Sequence, residues 1–386
     1  MTETPLASGK HRRFEHVLGE IVGLLVGPIV AFALALLVGA VGIVAFSGLL
    51  PAGKAFDLGL PARAYGALFS GAISTSTFVY ATPLILAGLG VALGFKAGLF
   101  NIGGRGQFLM GALGAMTVAT WLGTSVPAFV EIPLALLFGM ALGAVAGFIP
   151  GVLKATSGAH EVVTTIMLNY ILADVLYWAV SGPLVPERAP QPITINVHDS
   201  SNAFLPILPG IGVNLGVLIA VAMVPIIWFL LYRTTLGFEI RTAGANPDAA
   251  RYGGMRPRRL IVLTMTVSGM LCGLAGASIL LGNDFQMTPG YDTTVGFDAI
   301  TVALLGRSNP IGAFFAALLL GGMRAGSGPM QIQAGVPREL VDALQAIILL
   351  FLVINVLRRV LGARAGRGTD MTGIETVTRT YGRESV

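Results

Sequence analysis

Hydrophobic positions along this chain come in long uninterrupted runs, not in the alternating or helical-stripe patterns of half-buried elements. A helix needs about 20 apolar residues to cross the hydrocarbon core of a bilayer. Apolar runs near 21–46, 78–95, 106–123, 132–153, 162–181, 214–232, 260–282 and 340–357, uncharged save for Asp174 and Asp342, each predict such a helix. The stretch 297–324 is apolar on both sides of Arg307-Ser308-Asn309-Pro310, and each half is short for a full span. It predicts two shorter helices. The expected fold is all-α: a polytopic membrane helix bundle of about ten transmembrane helices, some short or broken.

Two interruptions stand out. The stretch "GFKAGLFNIGGRGQFLMGALGAM" carries Asn101-Ile102-Gly103-Gly104-Arg105-Gly106-Gln107 between two spans, and "GRSNP" at 306–310 is a second break of similar form. Irregular backbone at membrane depth survives only where protein or a water-filled cavity satisfies its polar groups. The first break is therefore expected to lie against a subunit interface or a translocation path.

Composition agrees with a membrane chain. Of 386 residues, 54% are hydrophobic and 11% charged, where soluble domains carry about 25% charged residues. The distribution of charge sets the orientation. Residues 233–259 hold Arg233, Arg241, Arg251, Arg256, Arg258 and Arg259 against Glu239 and Asp248, and the N-terminus has Lys10, Arg12 and Arg13. The tail from Arg358 onward is also arginine-rich, whereas 283–296 carries Asp284 and Asp292 with no base. The positive-inside rule puts both termini and 233–259 in the cytoplasm, and 182–213 and 283–296 outside. This divides the chain into a cytoplasmic segment 1–20, a membrane domain 21–357 with a cytoplasmic loop 233–259, and a cytoplasmic tail 358–386. The run from Ile21 to Phe46 is too long for a signal-peptide core and is expected to be a retained anchor. Glycine pairs at spacing four (Gly139/Gly143/Gly147, Gly269/Gly273, Gly90/Gly94/Gly98) predict close helix packing.

Several kinds of chemistry have no residues to carry them. There is no phosphate-binding G-x-x-x-x-G-K-[ST] loop, since Gly9-Lys10 and Gly53-Lys54 are followed by His11 and Ala55. The four histidines are scattered and form no metal-ligand set. Cys272 lies alone in an apolar run, as a packing residue would. No catalytic residue, metal site or cofactor is expected in this chain, and no nucleic-acid partner. Ionisable residues inside spans mark pathways or buried pairs. Asp174, Asp298 and Asp342 are the main ones, and they show no mutual pattern in the sequence, which weighs against a proton- or sodium-driven carrier.

The loop "YRTTLGFEIRTAGANPDAARYGGMRPRRL" (232–260) contains a helix start: Asn246 as cap, Pro247 at the first helical position and Asp248 at the positive dipole end. Gly253-Gly254 ends the helix and Pro257 prevents its continuation. A short capped helix among arginines suits docking into another protein's groove; a basic loop resting on anionic membrane lipid fits equally well.

The same loop carries a resemblance. Thr235, Gly237, Arg241, Gly244, Asn246, Ala249, Ala250 and Gly253 are spaced as in the coupling loop of bacterial ABC-importer permeases of the branched-chain amino acid, ribose and nucleoside type. The stretches "GLFNIGGRGQFLMGALGA" (98–115), "HEVVTTIMLNYIL" (160–172), "SGMLCGLAGA" (268–277) and "GFDAITVALLGRSNPIGAFFAALLLGGMRAG" (296–326) extend the likeness over about residues 78 to 357. The wording is most similar to nucleoside-uptake permeases. The resemblance implies a bacterial inner-membrane importer with a second, often different, permease chain. It further implies ATPase subunits that hold ATP and Mg, and an extracytoplasmic substrate-binding lipoprotein. It assigns ATPase coupling to Gly244, Asn246, Ala249, Ala250 and Gly253. Bulky charged residues at Ala249 and Ala250 are expected to leave the fold intact and abolish docking. Arg105 departs from the family pattern, which usually has an acid there; a charge-swapped partner in another subunit is one account.

Candidate pathway residues are Asn101, Gln107, Glu161, Thr165 and Asn169. The last three share one helix face at spacing four and could hydrogen-bond a passing ribose or base; interhelical hydrogen bonding is the alternative. Phe100 and Phe108 could stack on a base or simply pack. The expected function is a nucleoside permease subunit, with permeation of a simple sugar such as ribose, or a self-sufficient carrier, as the other readings.

Overall fold

In a computed structural model, residues 30–45, 47–49, 56–186, 190–210 and 212–351 are described. The readings for 1–20 and 358–386 lie outside them, as does the start of the 21–46 run. The helices, in chain order, are α1 (Val30–Ala45), α2 (Leu60–Ala72), α3 (Ser76–Lys96), α4 (Gly104–Leu122), α5 (Ala128–Ser157) and α6 (Glu161–Ser181). There follow α7 (Val197–Ser200), α8 (Leu215–Arg233), α9 (Thr235–Ala245), α10 (Pro247–Tyr252) and α11 (Pro257–Ile279, continued by a π-turn to Asp284). The last are α12 (Val295–Leu305), α13 (Pro310–Ala334) and α14 (339–351). Among the described residues no strand forms, and six helices are long and apolar enough to cross a membrane: α3, α5, α6, α8, α11 with its extension, and α13. α1 and α12 are shorter apolar helices.

Among the described residues six candidate spans stand where about ten were expected. Two further departures concern particular elements. The break at 306–309 divides α12 from α13 as expected, but α13 is no half-span. Its 25 residues continue past Arg324 to Ala334, because a single paired charge does not stop a helix. α2 was not anticipated: Pro61 and Arg63 interrupt its apolar pattern, and Pro61 stands in the first turn, where a missing N–H costs nothing.

α3 is buried on nearly every side, as a helix apolar all round must be in a bundle centre. Beside it, α11 packs along α4 and α5. The α5–α11 seam is made of glycine: a Cβ on Gly143 would lie 2.5 Å from the Gly269 carbonyl oxygen, and one on Gly269 would lie 2.3 Å from that of Gly143. The backbones touch, which is how membrane helices gain dispersion contact without a hydrophobic driving force.

The two segments expected on one side meet at one end of the bundle. Val197 donates to the Phe285 carbonyl at 2.9 Å, Leu205 to Leu281 at 2.7 Å, and the Asn214 amide to Gly282 at 2.9 Å. α9 and α10 lie at the other end, beside the start of α11.

Candidate functional site

The break between α3 and α4 is a helix start at half depth. Gly104 lies against Cys272: a Cβ there would be 3.6 Å from the Cys272 sulfur, and Cys272 sits near the middle of the 28-residue span Pro257–Asp284. The first amides of any helix lack intrahelical partners, and at this depth water does not replace them. Side chains do. Asn101 Oδ1 accepts from the Gly103 amide at 2.9 Å, and Asn169 Oδ1 accepts from the Gly106 amide at 2.9 Å. The Asn169 amide returns a bond to the Ile102 carbonyl at 3.0 Å. Asn101 Nδ2 donates to Gln107 Oε1 and to Ser268 Oγ, both at 2.9 Å.

Asn101, Gln107, Thr165 and Asn169 are thus brought together in one buried knot. Thr165 packs on Gly103, whose added Cβ would lie 3.2 Å away, and donates to the Glu161 carbonyl at 2.7 Å. Glu161 is on the same buried face of α6 but two turns off, paired with Lys154 at 3.3 Å. Ser268 is the member that sequence reading missed; a lone serine in an apolar run gives no signal of a partner 167 positions away. Phe108 is buried, and Phe100 stacks on Phe95 at 5.0 Å between ring centres.

Removing Asn169 tests the knot. Asn169→Ala leaves the Gly106 amide and the Ile102 carbonyl without partners, each a desolvation penalty of about 1–3 kcal/mol. A clear drop in thermal midpoint of the purified protein in detergent is expected; an unchanged midpoint would remove Asn169 from this role.

Arg105 has its acid within this chain. Its Nε and Nη2 donate to the two carboxylate oxygens of Asp292, both at 2.7 Å. The partner subunit invoked for it is not needed. Beyond Asp292, Arg324 of α13 pairs with Asp298 at 2.5 Å and Asp342 at 3.7 Å, and also bonds Thr294. Asp298 and Asp342, unrelated in the sequence, share one guanidinium.

At the opposite end from the 182–213 loop, α10 has the expected cap. Asn246 Oδ1 accepts from the amides of Asp248 at 3.0 Å and Ala249 at 3.1 Å. Gly253 ends the helix, and Gly254 takes φ 80°. Gly244 is pressed on the end of α3, where an added Cβ would be 2.2 Å from the Lys96 carbonyl oxygen. Ala250 is fully buried (0% exposed), so a bulky charge there would disturb the fold, contrary to the expectation for the Ala249 and Ala250 pair. Ala249 and Gly253 are exposed, and beside them stands Tyr252, 94% exposed. A tyrosine so placed was legible only as one letter of the loop.

Among the described residues, six helices long and apolar enough to cross a bilayer give a multi-pass membrane protein, with a helix start braced at half depth and a capped helix at one end. The chain belongs to the family described as branched-chain amino acid transport system / permease component, whose model matches residues 73–353. It is 37% identical to the guanosine ABC transporter permease of Bacillus subtilis over 93% of this chain and 99% of that one. It is 35% identical to a nucleoside ABC transporter permease of Lactococcus lactis (88% and 93% covered). A glucose ABC transporter permease of Haloferax volcanii is 33% identical (84% and 86% covered).

Proposed function

We propose that this chain is the transmembrane permease subunit of an ABC importer for nucleosides, set in the bacterial inner membrane with both termini cytoplasmic. The observation that carries the reading is the end-to-end similarity to a guanosine permease, with the capped α10 helix where an ATPase would dock. In this reading ATP and Mg are held by partner ATPase subunits, and closure of that pair moves α9 and α10 and switches the path between outward and inward access. A second permease chain completes the path, and an extracytoplasmic binding lipoprotein delivers the solute. Asn101, Gln107, Thr165 and Asn169 brace the wall of the path; Glu161 stands on the same face of α6. The similarity to a glucose permease keeps a sugar as the second reading.

The test is a thermal-shift screen of the cognate binding protein, followed by uptake in proteoliposomes holding the whole complex. Purine and pyrimidine nucleosides are expected to raise the melting temperature and to enter only with ATP inside the ATPase compartment. A shift with ribose or glucose alone would give the sugar reading. Solute flux through this chain without ATPase would overturn the importer.

A further inference from the structure

The charged pairs beside the break point to a surface that lipid does not cover. Arg105 follows Gly104 at half depth, and Arg324 lies near the middle of the 25-residue α13. Neither is sealed in the core: their side chains are 21% and 20% exposed, and those of Asp292 and Asp342 are 53% and 61% exposed. The groups form one band. Asp292, Thr294 and Asp298 run along the chain into α12, with Arg105 on one flank and Arg324 on the other. Tyr170 of α6 is exposed and follows Asn169, which accepts from the Gly106 amide next to Arg105. Asp174, also exposed, stands one turn further along the same face of α6.

Charge at the bilayer centre is tolerated only where it faces protein or water. This band is open on the surface of the subunit, and its half-exposed Asp292 and Asp342 carboxylates fit an aqueous cavity and not lipid. Its sign is set by counting: Arg105 and Arg324 against Asp292, Asp298, Asp342 and Asp174. Both cations are bound to carboxylates, and the acids are in excess. Such a lining offers hydrogen-bond acceptors to hydroxyl groups and repels anions.

We propose that this band lines the translocation path and selects uncharged, hydroxyl-rich solutes over anionic ones such as phosphorylated sugars or nucleotides. It rests on the transporter reading above but not on the nucleoside assignment, and its test needs no solute. Cys272 is the chain's single cysteine and is buried, so a Cys272→Ser background allows single-cysteine labelling. Tyr170→Cys is placed in that background within the assembled complex in proteoliposomes, with Val145→Cys on the exposed apolar side of α5 as the lipid-facing control. Two membrane-impermeant thiosulfonate reagents of similar size are compared, one cationic and one anionic.

Tyr170→Cys is expected to react readily and Val145→Cys not. The cationic reagent should react about tenfold faster than the anionic one, within the range that charged clefts impose on association. Asp174→Asn should narrow that ratio. Labelling of Tyr170→Cys no faster than Val145→Cys overturns the path assignment, and equal rates for the two reagents overturn the charge selection. ATPase activity of each complex reports that it is assembled. A binding protein that prefers a hexose would refute the nucleoside reading and leave this one standing.

Discussion

Gly269→Leu is expected to remove nearly all folded protein from a detergent extract. The α5–α11 seam has backbone on both sides at three successive steps. An added Cβ would meet the Gly143 oxygen at 2.3 Å from Gly269, the Gly139 oxygen at 2.6 Å from Gly273, and the Met265 oxygen at 2.3 Å from Gly147. No rotamer change relieves a clash with a carbonyl. The two helices must part along the seam, and α11 also lies on α4, where a Cβ on Gly276 would be 2.0 Å from the Phe108 oxygen. Overpacking a core costs about 1–3 kcal/mol where side chains yield; here they cannot, so about 3 kcal/mol or more is expected against a total stability of about 5–15 kcal/mol. Fluorescence-detected size exclusion should show aggregate in place of the monodisperse peak, with Gly269→Ala intermediate. Gly328→Ala in α13, where an added Cβ meets nothing within 4 Å, should be neutral or slightly stabilising. A monodisperse Gly269→Leu protein with the parental midpoint would refute the seam.

That seam was half legible in the sequence. The spacing of Gly139, Gly143, Gly147, Gly269 and Gly273 announces close packing, but not which helix meets which. The all-helical membrane architecture was legible because hydrocarbon demands length and apolarity, both one-dimensional properties; the number of spans was not, since six long apolar helices stand among the described residues where about ten were expected. The α10 helix was legible because capping is local: Asn246, Pro247 and Gly253 carry it within eight positions. What escaped was whatever depends on tertiary pairing. Arg324 read as the end of an apolar run because its partners, Asp298 and Asp342, are 26 and 18 positions away. Arg105 read as an oddity because Asp292 is 187 positions away. Ala250 read as a docking residue because exposure cannot be told from a loop's letters; its burial leaves Ala249 and Tyr252 as the accessible part of the same motif.

Ala249→Arg is expected to abolish ATP-driven uptake while leaving the fold of this chain intact. Ala249 is exposed on the first turn of α10, so the new side chain has room in the isolated subunit and none in a groove that receives the helix. Tyr252→Ala should weaken ATPase association by about 2 kcal/mol, roughly 30-fold, the loss typical of a central aromatic anchor. Ala250→Arg should instead lose folded protein, since Ala250 is packed inside and its carbonyl accepts from the Met255 amide at 3.0 Å. Size exclusion of the subunit alone separates this case from the other two, and co-purification with the ATPase reads the docking. Coupling then has a physical route. Gly244 at the end of α9 bears on Lys96 and Ala97, backbone against backbone, and those residues lead directly into the 98–103 segment and the braced start of α4. A displacement of α9 is delivered to the half-depth break without passing through any flexible side chain. Gly244→Ala, which wedges that contact, should therefore impair uptake even where ATPase association is retained. Normal co-purification and normal uptake in Ala249→Arg together would refute α10 as the docking element.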